Sequence, residues 1–152
     1  MAILKKGDLA PAFKGLNQKG EEISLVTFRG KKVILYFYPK DNTPGCTSEA
    51  CDLNDNYTMW LGKGYEVIGV SPDSVASHKK FADKFGLGFN LVADTDLEVL
   101  KAYGAWGEKS MYGKSYMGVL RTTFVIDENG FIIEVFEKVN TKEHSKQIIS
   151  TL

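Results

Sequence analysis

Along this 152-residue chain, short wholly apolar runs alternate with stretches whose apolar residues recur every three or four positions. "VILYFY" at 33–38 places six apolar or aromatic residues in a row, the pattern of a strand covered on both faces. "YEVIGVS" at 65–71 reads as a second such strand. Between them Cys46, Ala50, Leu53, Tyr57 and Trp60 fall at helical spacing, predicting strand, helix, strand and hence a right-handed parallel crossover. Another helix is expected over 73–86, with Asp73 or Ser74 as its cap and Gly86 as its stop. A short strand around 89–93 is followed by Thr95 to Glu98, a capping box opening a helix to about Tyr103. Residues 122–126 and 131–137, joined by "DENG", predict a β-hairpin, and an amphipathic helix from Asn140 or Thr141 closes the chain.

With an N-terminal hairpin near 13–26, the order becomes β-α-β-α-β-α-β-β-α. This is an α/β pattern: a central mixed β-sheet flanked by helices on both faces, preceded by an N-terminal β-hairpin. A thioredoxin-like fold fits that order. No repeat, low-complexity tract or Pro/Ser-rich linker divides residues 1–152, so a single domain is expected. A chain of this length removes roughly 68–70% of its unfolded surface from water, so its stability needs no disulfide.

Charge narrows the partners. Lys plus Arg equals Asp plus Glu at 19 each, and no block of five like charges occurs, so neither a nucleic acid nor a membrane is the expected partner. "MAILKKGDLAPAF" at the start lacks the apolar core of a signal peptide, and no run approaches the roughly 18 apolar residues of a membrane span. The expected location is the cytoplasm. In that reducing compartment a close cysteine pair is more often catalytic, redox-sensing or metal-binding than a permanent crosslink.

Both cysteines lie in "TPGCTSEAC" at 43–51, directly after the first apolar strand. Sites in open α/β sheets form beyond the carboxyl ends of the parallel strands, and the loop after Tyr38 leaves from such an end. Pro39 ends the strand, Pro44 and Gly45 shape the turn, and Cys46 opens the helical pattern. Its sulfur is therefore expected near free amides and the positive end of the helix dipole, which favours thiolate over thiol. The plainer alternative is a buried cysteine filling the apolar stripe. Cys51 falls off that stripe, on the side of Asp55 and Thr58. Two Cα atoms five apart in a regular helix are roughly 8–9 Å apart, beyond the roughly 7 Å limit for a disulfide, so a Cys46–Cys51 bond requires the first turns to unwind.

A zinc set of two cysteines with His78 and His144 matches no compact ligand spacing, because the histidines are 66 positions apart. His78 is expected as a half-buried packing residue and His144 as a solvated one. No metal or cofactor is expected.

"PKDNTPGC" at 39–46 resembles the peroxiredoxin signature P-x-x-x-T-x-x-C, filled here by Pro39, Thr43 and Cys46 and extended by Glu49. A second cysteine five positions on is similar to the bacterioferritin comigratory protein, or peroxiredoxin Q, subfamily, and "RTTFVID" at 121–127 and "WGEKSMYGKSYMG" at 106–118 carry the similarity along the chain. The resemblance implies an atypical 2-Cys thiol peroxidase acting on hydrogen peroxide and organic hydroperoxides. Cys46 would be the peroxidatic cysteine and Cys51 the resolving one, with thioredoxin as reductant and a monomer favoured. Thr43, Gly45, Cys46 and Arg121 would supply donors to the transferring charge, Pro39 would shape the substrate site, and Glu49 would either orient Arg121 or only favour the first helical turn. If the strand at 122–126 pairs with 33–38, Arg121 is delivered beside Cys46. The glycine-rich span 104–118, carrying Trp106, Met111, Tyr112, Tyr116 and Met117, is either an apolar lip for alkyl peroxides or reductant, or a loop packed on the core. The competing functions are a thiol-disulfide oxidoreductase, whose usual C-x-x-C is here C-x-x-x-x-C, and a redox-sensing or metal-binding module.

Overall fold

A computed structural model describes residues 4–152. Its main sheet has seven strands in the order β2-β1-β5-β4-β3-β8-β9. These are β1 (Lys14–Leu16), β2 (Glu22–Ser24), β3 (Lys32–Phe37), β4 (Tyr65–Ser71), β5 (Asn90–Ala93), β8 (Thr122–Ile126) and β9 (Ile132–Phe136). A separate antiparallel pair is formed by β6 (Trp106–Met111) and β7 (Lys114–Val119). The helices are α1 (Pro44–Asp55), α2 (Tyr57–Gly62), α3 (Val75–Phe85), α4 (Glu98–Ala102) and α5 (His144–Ile149). The mixed sheet, the N-terminal hairpin β1–β2 and the parallel crossover from β3 to β4 all follow the sequence pattern. No helix among the described residues is long and apolar enough to cross a membrane.

The unbroken apolar run of β3 is explained by two cores. Val33, Leu35 and Phe37 pack with Val99 and Leu100 of α4 on one face. Ile34, Tyr36 and Tyr38 pack on the other with Ala50 and Leu53 of α1, Phe81 of α3 and Ile148 of α5. Because side chains alternate along a strand, a central strand between two helical layers has no face left for polar residues. Gly69 in β4 belongs to the same arrangement. A Cβ there would lie 2.8 to 2.9 Å from ring and hydroxyl atoms of Tyr36. Gly69→Ala is expected to cost about 1–3 kcal/mol through that overlap, read as a lower urea midpoint at unchanged slope. An unchanged midpoint would show that Tyr36 can move aside.

Three boundaries differ from expectation, each because a polar side chain competes with helix hydrogen bonding. The helix expected from Cys46 to Trp60 breaks at Asn56, whose own N–H and Nδ2 both reach the Asp52 carbonyl, at 3.3 and 2.9 Å. The capping box at Thr95–Glu98 does not form: Asp94 accepts the N–H groups of Val99 and Leu100 at 3.1 and 2.7 Å and starts α4 at Glu98. The last helix starts at His144 rather than Asn140, because Asn140 Oδ1 accepts the N–H groups of Lys142 and Glu143, both at 3.2 Å, and holds that segment as a turn.

The span 104–118 is a hairpin rather than a loop packed over the core. It contains β6 and most of β7, joined through Tyr112 and Gly113, both at positive φ (52° and 76°). Two successive residues at positive φ give the turn that matches strand twist. Tyr-Gly is a weak form of the usual Asn-Gly signal, so the hairpin was hidden. Met111, Tyr112, Tyr116 and Met117 are exposed on it.

Candidate active site

The turn from β3 into α1 is pinned before the first cysteine is reached. Asp41 is buried and accepts from Tyr38 Oη at 2.6 Å and Ser77 Oγ at 2.8 Å, and pairs with His78 Nδ1 at 2.7 Å. Its own N–H donates to Asp73 Oδ2 at 2.8 Å. Asn42 follows at φ 59°, a left-handed conformation that asparagine tolerates. Thr43 caps α1 with an extended backbone, Pro44 takes the first helical position where no N–H is needed, and Cys46 sits in the first turn.

The sheet brings Arg121 to this turn. β8 runs antiparallel to β3 with Thr122 opposite Phe37, so Arg121 emerges at the end of β3 from which the Cys46 loop departs. Its Nη2 lies 3.2 Å from Cys46 Sγ, and its Nη1 donates to Glu49 Oε1 at 2.6 Å. Gly45 lies beside the guanidinium: a Cβ there would meet Nη2 at 3.4 Å, an ordinary contact. Burial alone would work against the guanidinium charge, but Glu49 and Cys46 beside it raise the Arg121 pKa, so it stays a cation.

Glu49 therefore does more than occupy the first turns of a helix. It is fully buried, and burial pushes its carboxyl up to about 7, opposed by Arg121 and assisted by Asp52. Oε2 has no hydrogen-bond partner, and His144 Nε2 lies 3.7 Å from it. His144, expected in solvent, is fully buried, because α5 docks its first turn against α1 and β8. Its Nε2 pairs with Thr123 Oγ1 at 2.8 Å and its Nδ1 with Gln147 Oε1 at 2.9 Å. Burial lowers its pKa. Nothing in local sequence pattern marks this residue, since its surroundings come from β8 and α1.

Thr43 is present at the turn, with its hydroxyl bonded to the loop backbone. Its Oγ1 donates to the Lys40 carbonyl at 2.8 Å, which occupies its only proton and leaves its lone pairs free. Cys46 is 1% exposed, whereas Cys51 is partly exposed, and both are free thiols within α1. Burial and the neighbouring Asp55 push the Cys51 thiol up. Pro39 is partly buried at the strand end, one residue past Tyr38.

The four-ligand set of two cysteines and two histidines is not assembled. Among the described residues, the grouping with metal-ligand proximity is Asp41, Asp73 and His78, whose ligating atoms lie within 4.8 Å of one another. Those atoms already hold hydrogen bonds from Tyr38, Ser77, Ser71 and the Asp41 N–H. The cluster is a satisfied junction between the Cys46 loop, β4 and α3. His78 is fully buried in it rather than half-buried.

Comparison with known proteins places this geometry in context. The model of the AhpC/TSA family matches residues 6–135. A putative peroxiredoxin bcp of Haemophilus influenzae is 45% identical over 152 residues, covering 100% of this chain and 98% of the relative. Peroxiredoxin Bcp of Escherichia coli is 43% identical, covering 100% of this chain and 97% of the relative. Among solved structures, a cysteine-to-serine mutant of Xylella fastidiosa PrxQ superposes with TM-score 0.91 at 31% identity, over 99% of this chain and 96% of that one. The bacterioferritin comigratory protein of Xanthomonas campestris, studied for alkyl peroxide reduction, gives 0.86 at 34% identity, over 91% and 88%.

Proposed function

The chain belongs to the AhpC/TSA family and is a thiol-dependent peroxidase of the peroxiredoxin type, and from that premise we propose that Cys46 is the sulfur that peroxide oxidises and Cys51 the one that resolves it. The observation that carries this reading is the Arg121 guanidinium, with one nitrogen on Cys46 Sγ and the other on the buried Glu49 carboxylate. In the reaction the Cys46 thiolate attacks one peroxide oxygen, an S–O bond forms, the O–O bond breaks, and the second oxygen leaves as hydroxide or alkoxide. Negative charge thus moves from sulfur to oxygen. Arg121 and the first-turn amides of Gly45 and Cys46 are the donors that follow it. Thr43, whose proton is engaged, accepts the peroxide O–H instead and orients the attacked oxygen. Pro39 and the pinned Asp41 hold this loop while Glu49 fixes the angle of Arg121.

The substrates are hydrogen peroxide and organic hydroperoxides, and a dithiol of the thioredoxin type returns the Cys46–Cys51 disulfide to two thiols. The enzyme works as a monomer in the cytoplasm, where such a reductant is available. A thiol-disulfide oxidoreductase is less well supported, because the guanidinium on Sγ suits a small oxygen leaving group. Cys51→Ser is expected to consume peroxide once per chain at close to the unmodified rate, and then to stop when thioredoxin and its reductase are the only reductants. Stopped-flow fluorescence for the first turnover and NADPH oxidation for the steady state separate the two effects. Sustained turnover of this variant with thioredoxin would remove Cys51 from the cycle.

A further inference from the structure

Cys51 is followed by an α1 side chain, Asp52, that is hydrogen-bonded to the start of the last helix. Asp52 Oδ2 accepts the backbone N–H of Ser145 at 2.7 Å, across 93 positions of sequence. That N–H lies in the first turn of α5, where no carbonyl within the helix can reach it, so Asp52 satisfies a donor that is otherwise orphaned. Ser145 Oγ also takes the Trp60 Nε1–H at 3.0 Å. One residue therefore joins α1, α2 and α5. The break at Asn56 separates α1 from α2, so α1 is able to open while Trp60 keeps α2 in place.

We propose that the Asp52–Ser145 contact is a latch that holds α1 helical around Cys51 and sets the rate of the resolving step. The inference rests on the roles assigned above to Cys46 and Cys51. In that step the Cys51 sulfur attacks the sulfenic sulfur of Cys46, the S–S bond forms, the S–O bond breaks, and the hydroxyl leaves as water with the Cys51 thiol proton. On the intact helix the two Cα atoms are roughly 8–9 Å apart, too far for this bond. Asp52 is bonded directly to Cys51, so a swing of Cys51 toward Cys46 pulls Asp52 off the Ser145 N–H. The contact has a charged acceptor and a donor with no alternative partner, which makes it costly to break. It keeps the reduced site assembled and slows resolution. Asp52 touches neither peroxide nor sulfur; its role is positional.

Stopped-flow tryptophan fluorescence on the full chain tests this. The first phase, whose rate rises with peroxide concentration, reports sulfenic acid formation; the second, independent of it, reports disulfide formation. Asp52→Ala is expected to leave the first within about twofold and to speed the second about tenfold, with Asp52→Asn in between because it keeps an acceptor oxygen without the charge. Under excess peroxide the Asp52→Ala protein should accumulate less sulfinic acid by mass spectrometry, because its sulfenic acid is trapped sooner. Hydrogen exchange on the reduced variant should show lost protection at Ser145 and over 46–52 but not in β3 or β4. An unchanged second phase overturns the latch, as does protection lost equally throughout the molecule. If no peroxide-dependent first phase is seen even in the unmodified protein, the assignment of Cys46 itself fails, and the latch with it.

Discussion

Cys46→Ser is expected to abolish peroxide consumption, leaving only the uncatalysed background. The substitution removes little volume and keeps a small polar atom at a site that is 1% exposed, so the fold should persist and a denaturation curve should confirm it. What is lost is the proposed nucleophile. A serine hydroxyl is not ionised near neutral pH, and nothing at the site can take its proton with the efficiency of a positioned base. Cys51 cannot take over in place. Its thiol is pushed up by burial and by Asp55, and the guanidinium that touches Cys46 Sγ makes no hydrogen bond to Cys51. Peroxide added to the Cys46→Ser protein should therefore remain unconsumed in a stopped-flow or dye-based assay. If it disappears at the unmodified rate, the reacting group lies elsewhere.

Arg121→Ala should lower the second-order rate of the peroxide step by about 10²–10³, and the size of the loss matters as much as its direction. A free thiol of pKa about 8.5 is about 3% ionised at pH 7, so altering the thiolate fraction alone changes a rate by at most about thirtyfold. A larger loss means that Arg121 acts on the transition state, where charge moves from sulfur to the departing oxygen. Its geometry suits that task. One nitrogen faces the sulfur at 3.2 Å while the other is held by Glu49 at 2.6 Å, so the fork is fixed before substrate arrives. Arg121→Lys should recover only part of the rate, since a single ammonium cannot face both partners in that arrangement. The check is the rate at several pH values divided by the thiolate fraction measured on the same variant. A loss fully accounted for by the thiolate deficit would reduce Arg121 to a group that merely ionises Cys46.

Much of this site was legible in order along the chain. Strand, proline turn and cysteine at a helix start are neighbours in sequence, and apolar runs reveal double-sided burial without reference to any distant residue. The antiparallel placement of 122–126 beside 33–38 was also within reach, because a hairpin with a strong turn signal admits few ways of joining an existing sheet. Arg121 could thus be aimed at Cys46 across 75 positions. The roles left undecided were those set by contacts between elements. Glu49 had two readings until Arg121 was seen on its carboxylate, and His144 was expected in solvent until α5 was seen to bury it against β8.

The sequence by itself determined the sheet with its two helical layers, the place of Cys46 at a helix start with Cys51 five residues on, and the arginine's approach. Only the tertiary structure decided what surrounds Glu49, that Thr43 has already committed its proton, that Tyr112 and Gly113 turn a hairpin, and that Asp52 reaches α5. The division has a physical basis. Periodicity and turn chemistry act through near neighbours in the chain, whereas the environment of a buried polar group is made by segments far away in sequence. Hydrogen bonds among such groups depend on tenths of an ångström that only the packed molecule specifies.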